Sequence, residues 1–119
     1  MGMDRERRAE PQGPLRPVEF HILLSLAAGE RHGYGIIQDV EGRGESVDVG
    51  TLYRALARMT DQGLIGASGR RGAADAANER RHYYHITARG LRLAEAEARR
   101  VVALAKAARL SGLLKGATT

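Results

Sequence analysis

A chain of 119 residues, 43% apolar and 4% aromatic with no tryptophan, has material for one small domain with a modest core, so oligomerisation is a natural source of further burial. Its net charge of +5 and isoelectric point near 10.2 favour an acidic partner, nucleic acid before an anionic membrane surface. The absence of cysteine excludes disulfides and thiolate metal sites and fits a reducing compartment. No apolar run is long enough for a signal peptide or membrane span, so the sequence predicts a soluble, cytoplasmic protein with no membrane partner.

Residues 1–14 set Arg5, Arg7 and Arg8 among Asp4, Glu6 and Glu10 without apolar periodicity and read as a disordered arm. Pro17 opens a helix that places Phe20, Leu23, Leu24 and Ala27 on one face and ends at Gly29. That is a core helix, and His21 beside its stripe reads as a satisfied or partly exposed histidine. In Glu30–Gln38, Gly33 ends a tight turn and Gly35 permits close helix packing, after which Ile36, Ile37 and Val40 form the apolar side of a short second helix. Tyr34 has two readings: a core filler with its hydroxyl at the rim, or a hydroxyl that meets a DNA phosphate. Residues 41–47 form a loop leading into a third helix, and this spacing predicts a helix-turn-helix.

The third helix, from Val49 to Asp61, has two incompatible faces. Leu52, Leu56 and Met59 share a stripe that must be buried, while Arg54, Ala57, Arg58 and Asp61 point away from it. Asp48 is the expected N-cap, Gly50 and Thr51 leave first-turn N–H groups free for a phosphate, and Gly63 closes the helix. Two readings fit these residues equally: a helix lying in the major groove of DNA, or an ordinary amphipathic helix with solvated arginines.

Leu64–Ser68 is a short extended segment and Arg80–Ile86 a clearer strand. The small-residue connection between them carries Arg70 and Arg71 at one stem and Arg80 and Arg81 at the other, which describes either a wing that tracks DNA backbone or a solvated hairpin loop. His82 and His85, three apart on a strand, project from opposite faces, and the nearby Asp75 and Glu79 lie in the loop, so neither a metal nor another cofactor is expected. Thr87 caps a last helix over residues 88–114, about 40 Å long, more than a domain of this size can cover. Leu91, Ala94, Ala98, Val101, Ala105 and Ala108 alternate steps of three and four, a seam that predicts pairing with a second copy. Residues 115–119 read as a disordered tail.

Three separated segments carry a family resemblance. Gly50-Thr51-Leu52-Tyr53-Arg54-Ala55-Leu56 with Gly63-Leu64-Ile65, then Glu30–Gln38, and then Arg81–Thr87 with Gly90 closely resemble the PadR family of bacterial transcriptional regulators over about Leu15 to Arg109. The chain departs from the family pattern at Arg16, where a small hydroxyl residue is usual, which weakens the expected cap of the first helix. The resemblance implies a mainly α protein with a small β-hairpin: a winged helix-turn-helix DNA-binding domain over residues 15–87 and a dimerisation helix over 88–114. It implies a sequence-specific DNA-binding regulator, a homodimer and usually a repressor, relieved by a small-molecule effector or another signal. The implied partner is double-stranded DNA bearing a near-palindromic operator with half-sites about one helical turn apart. Thr51, Tyr53 and Tyr34 would then anchor phosphates beside Gly50, Arg54 and Arg58 would reach base edges or phosphate, and Arg70, Arg71, Arg80 and Arg81 would bind backbone through the wing.

Related proteins bind planar hydrophobic compounds between their dimer helices, but this terminal helix offers no aromatic residue for such a stack. No paired carboxylate, activated nucleophile or phosphate loop sits on a rigid element, so an enzyme is not expected. The competing reading is a winged-helix protein–protein interaction module, distinguished by a weak dependence of binding on salt.

Overall fold

The computed structural model describes residues 15–68 and 82–114. Among the described residues, four helices pack with a three-stranded antiparallel sheet in the order α1 (Pro17–Ala27), β1 (Arg31–His32), α2 (Gly33–Gly42), α3 (Val49–Asp61), β2 (Ile65–Ala67), β3 (Tyr83–Ile86) and α4 (Ala88–Leu110). The core lies between α1, α2, α3 and the sheet and is built from Ile22, Leu23, Leu26, Ile36, Val40, Leu52, Leu56, Met59, Leu64 and Ile65.

Arg16 gives α1 no hydroxyl cap; instead Glu19 turns back and its Oε1 accepts the Arg16 N–H at 2.8 Å, half of a capping box. The buried face of α1 is Ile22, Leu23 and Leu26 with Glu19 and Ser25, whereas Leu24 and Ala27 are exposed and Phe20 is half-buried. This rotates the expected stripe. Ile22-Leu23-Leu24-Ser25-Leu26 is apolar almost all round, so the helices packed against it, not its own periodicity, choose the buried face.

Before α2 the structure has a two-residue strand where the sequence suggested only a turn: Arg31 pairs with Tyr84 and His32 with Tyr83. Gly33 is therefore the first residue of α2 instead of the end of a turn, and the missing Cβ leaves room for the Tyr53 ring. His32 caps the helix, its Nδ1 accepting the Gly35 N–H at 3.0 Å. At the other end Arg43 ties α2 to α1, with Nη1 3.0 Å from His21 Nδ1 and Nη2 donating to Ser25 Oγ at 2.9 Å. Ile36, Ile37 and Val40 are buried on the expected side.

α3 buries Leu52, Leu56 and Met59 as its pattern requires, together with Ala55. The chain leaves it through Gly63, whose φ of +76° suits a residue without Cβ, into β2. β2 and β3 pair with Ile65 opposite Ile86, Gly66 opposite His85 and Ala67 opposite Tyr84. The wing arginines Arg70, Arg71, Arg80 and Arg81 lie outside the described residues.

The root of α4 is tied to the end of α3. The one proton of Thr87 Oγ1 is shared between the carbonyls of Gly63 and Leu64, at 2.7 and 2.9 Å, and the same oxygen accepts the Gly90 N–H at 3.0 Å. Gly90 is buried so tightly that a Cβ there would overlap the Leu64 carbonyl oxygen. α4 ends at Leu110, four residues short of the expected Leu114, because Gly112 takes a left-handed φ of +89° and its N–H and that of Leu113 bond back to Arg109 and Ala108.

Candidate nucleic-acid interface

At the start of α3, Asp48 Oδ2 accepts the Thr51 N–H at 3.0 Å, as the sequence predicts, and lies 3.4 Å from Thr51 Oγ1. The amides of Val49 and Gly50 have no carbonyl one turn earlier within the helix, so they face outward as donors. Arg54, exposed, folds back over this turn: its Nη2 donates to Thr51 Oγ1 at 3.3 Å, and a Cβ on Gly50 would stand 3.1 Å from Nη1. Gly50, Thr51 and Arg54 thus form one small solvent-facing group in which backbone donors and a guanidinium converge.

Tyr34, in the first turn of α2, is 59% exposed, which removes the reading in which it fills the core. Its ring lies 6.4 Å from His32 in near-parallel stacking, and His32 in turn meets Tyr83 edge-on at 5.4 Å. This aromatic row joins the N-terminus of α2 to the wing strand β3. The edge-on contact of His32 with Tyr83 follows from a strand pairing some fifty residues apart in sequence, whereas its cap on Gly35 and its stacking on Tyr34 are local. Tyr53 is half-buried, packed against Gly33. Burial, reinforced by the neighbouring Tyr53, pushes the Tyr84 phenol above its ordinary pKa, so it stays a neutral hydroxyl.

Arg58 has a partner that its own helix does not supply. Its Nε and Nη2 both donate to Glu19 Oε2 of α1 at 3.3 Å, which draws the side chain, still 36% exposed, toward the α1–α3 junction. The pairing partner is 39 residues away in sequence. Among the described residues no group of His, Asp and Glu converges as a metal site requires, and His85 Nδ1 sits 3.3 Å from Ser68 Oγ.

The six seam positions of α4 divide. Ala94 is 7% exposed and belongs to the core of its own domain, a correction whose cause is the close packing of α4 on α1 that a methyl side chain permits. Leu91 and Val101 are each 41% exposed, Ala105 is exposed, and Ala98 and Ala108 are half-buried. Beyond Glu97 the exposed apolar residues multiply: Val102, Leu104, Leu110 and Leu113 are all more than half exposed. No helix among the described residues is long and apolar enough to cross a membrane.

Helices α2 and α3 with the antiparallel sheet, an exposed arginine folded over the first turn of α3 and a long following helix define a winged helix-turn-helix protein of the DNA-binding class. The family model for the PadR-like family of transcriptional regulators matches residues 22–96, and the chain belongs to that family. It is a DNA-binding transcriptional regulator. Solved structures with the same fold include a transcriptional regulator from Clostridium thermocellum, 26% identical with a TM-score of 0.64 over 77% of this chain and 86% of that one. A PadR family regulator from Clostridium difficile is 26% identical with a TM-score of 0.67, over 78% and 95% of the two chains. PadR of Bacillus subtilis in complex with operator DNA is 25% identical with a TM-score of 0.56; the match covers 69% of this chain and 46% of that longer one. No curated protein matches the chain.

Proposed function

We propose that the protein acts as a homodimeric repressor on a near-palindromic operator and is released from it by a small-molecule or other signal. The observation that carries the dimer is the far half of α4, where Val101, Leu104 and Ala105, which share one side of the helix, face solvent beyond the body of the domain. A second copy of the same helix covers such a face symmetrically, and the two-fold axis then presents two α3 helices to half-sites about one helical turn apart. An operator as partner is supported by the likeness to the Bacillus subtilis protein, whose structure is a complex with operator DNA. A dimer seated on such a site excludes other proteins from the same DNA, which is repression by occupancy.

Within each half, the Val49 and Gly50 amides, Thr51, Tyr53 and Tyr34 hold phosphates and fix register, Arg54 reads a base edge, and Arg70, Arg71, Arg80 and Arg81 hold backbone. Val101→Asp tests the reading by placing a charge in the seam. Light scattering then reports a monomer, and operator binding weakens by a hundredfold or more, on the order of the loss of one half-site. An unchanged dimer moves the interface off α4.

A further inference from the structure

We infer that Arg58 is a positioning residue that seats the recognition helix on the body of the domain through Glu19, leaving base reading on that helix to Arg54. This rests on the reading that α3 enters DNA. Glu19 is only 8% exposed and divides its two oxygens between two tasks. Oε1 closes the N-terminus of α1 on the Arg16 amide, and Oε2 accepts both Nε and Nη2 of Arg58. One carboxylate therefore fastens the first turn of α1 to the fourth residue from the end of α3.

The Nε–Nη2 edge is one of the two by which a guanidinium grips a planar partner, and it is taken. For Arg58 to turn that edge to a guanine, it must leave a nearly buried carboxylate without its cation, an exchange that works against binding. Arg54 stands one turn nearer the N-terminus of α3, exposed, with a neutral Thr51 hydroxyl at 3.3 Å that it gives up at little cost. The N-terminal half of a recognition helix, where Arg54 lies, is also the part that meets base edges most directly. The two arginines of α3 thus divide the work: one fixes the angle of the helix, the other reads.

The test uses the full chain and a fluorescent duplex carrying the sequence that the wild-type protein enriches from a random pool, with single-base variants of it. At temperatures where circular dichroism shows all variants folded, Arg58→Ala and Glu19→Gln weaken every duplex alike, by about three- to tenfold, and the slope of log K against log salt stays unchanged. Combining them adds little to either alone, and Arg58→Lys, which keeps the cation, recovers part of the loss. Arg54→Ala flattens the preference at one base position in each half-site by about tenfold or more. A role in stability alone leaves affinity untouched below melting and overturns the inference.

So does a change of base preference in Arg58→Ala, which makes it a reader, or a fall of about one in its salt slope, which makes it a phosphate clamp. An Arg54→Ala variant with unaltered preference overturns the second half. Should Arg58→Ala not fold, Glu19→Gln and Arg58→Lys decide the question by the same readouts. Failure of the wild-type protein to enrich any sequence overturns the DNA-reading assignment itself, and this inference with it.

Discussion

α3 and α4 are both amphipathic helices, yet they have disposed of their apolar faces in opposite ways. All four apolar side chains on the inner face of α3, Leu52, Ala55, Leu56 and Met59, are within 1% of full burial, so what the helix shows to solvent is polar and basic. α4 buries Gly90, Ala94 and Glu97 in its first ten residues and then shows solvent Val101, Val102, Leu104 and Leu110. A helix whose own domain has taken its apolar face is left to recognise something charged. One whose apolar face remains uncovered is left to recognise something apolar.

The contrast is sharpest in paired truncations. Leu56→Ala is expected to cost about 2–5 kcal/mol, read by urea unfolding, without making the protein dissociate on dilution. Leu104→Ala should leave the unfolding of the DNA-binding body nearly unchanged but shift light scattering toward monomer at low concentration. Equal destabilisation by both variants at every concentration erases the distinction. Next in size is Gly90→Ala, whose methyl group has to push aside the Leu64 backbone; a loss of about 1–3 kcal/mol is expected from such overpacking. A melting temperature equal to wild type would mean that the α4 root has room for a methyl group.

Thr87→Ala removes an N-cap that also bonds to Gly63 and Leu64, whereas Asp48→Ala removes a cap within α3 alone. The first should cost about 1–2 kcal/mol and the second about 0.5–1 kcal/mol, compared by thermal melting; a reversed order breaks the account of the α4 root.

The smallest effect is in acid. The hydrogen bond from Arg100 holds the Glu97 carboxyl below the usual glutamate range, outweighing desolvation, with the opposite charge of Arg100 and the Leu15 backbone acting in the same direction. Because its pKa is lower folded than unfolded, its stabilising contribution is present above the ordinary glutamate range and is lost as pH falls through the folded value. Glu97→Gln should therefore flatten the low-pH end of the melting profile and leave it parallel to wild type near neutrality. A wild-type acid limb that survives the substitution assigns it to other carboxylates.

How much of this was legible follows the same physical lines. α3 was readable residue by residue because its polar and apolar positions alternate cleanly, and its Asp48 cap and the Thr87 cap of α4 are local bonds three residues long. α1 was misphased because a run with Ser25 as its lone polar residue over Ile22–Ala28 carries no phase information. β1 was missed because a two-residue strand exists only through its partner, and the ion pair of Arg58 is invisible in α3 alone because its carboxylate lies on another helix. Ala94 looked like a seam residue since alanine suits a close approach to any helix, and the helix it approaches is α1.

The triple use of Thr87 Oγ1 has a mechanical consequence. Twenty-three residues make α4 a rod of about 35 Å, and a tilt of about 10° at its foot carries the far end through about 6 Å, nearly two base-pair steps. The pivot of that rod is not a loop but a hydroxyl that grips the two carbonyls at which the chain has just left α3. Torque on the rod is therefore delivered to the exit of α3 through bonds shorter than 3 Å, and Gly90, with no room for a methyl group, keeps the bearing tight.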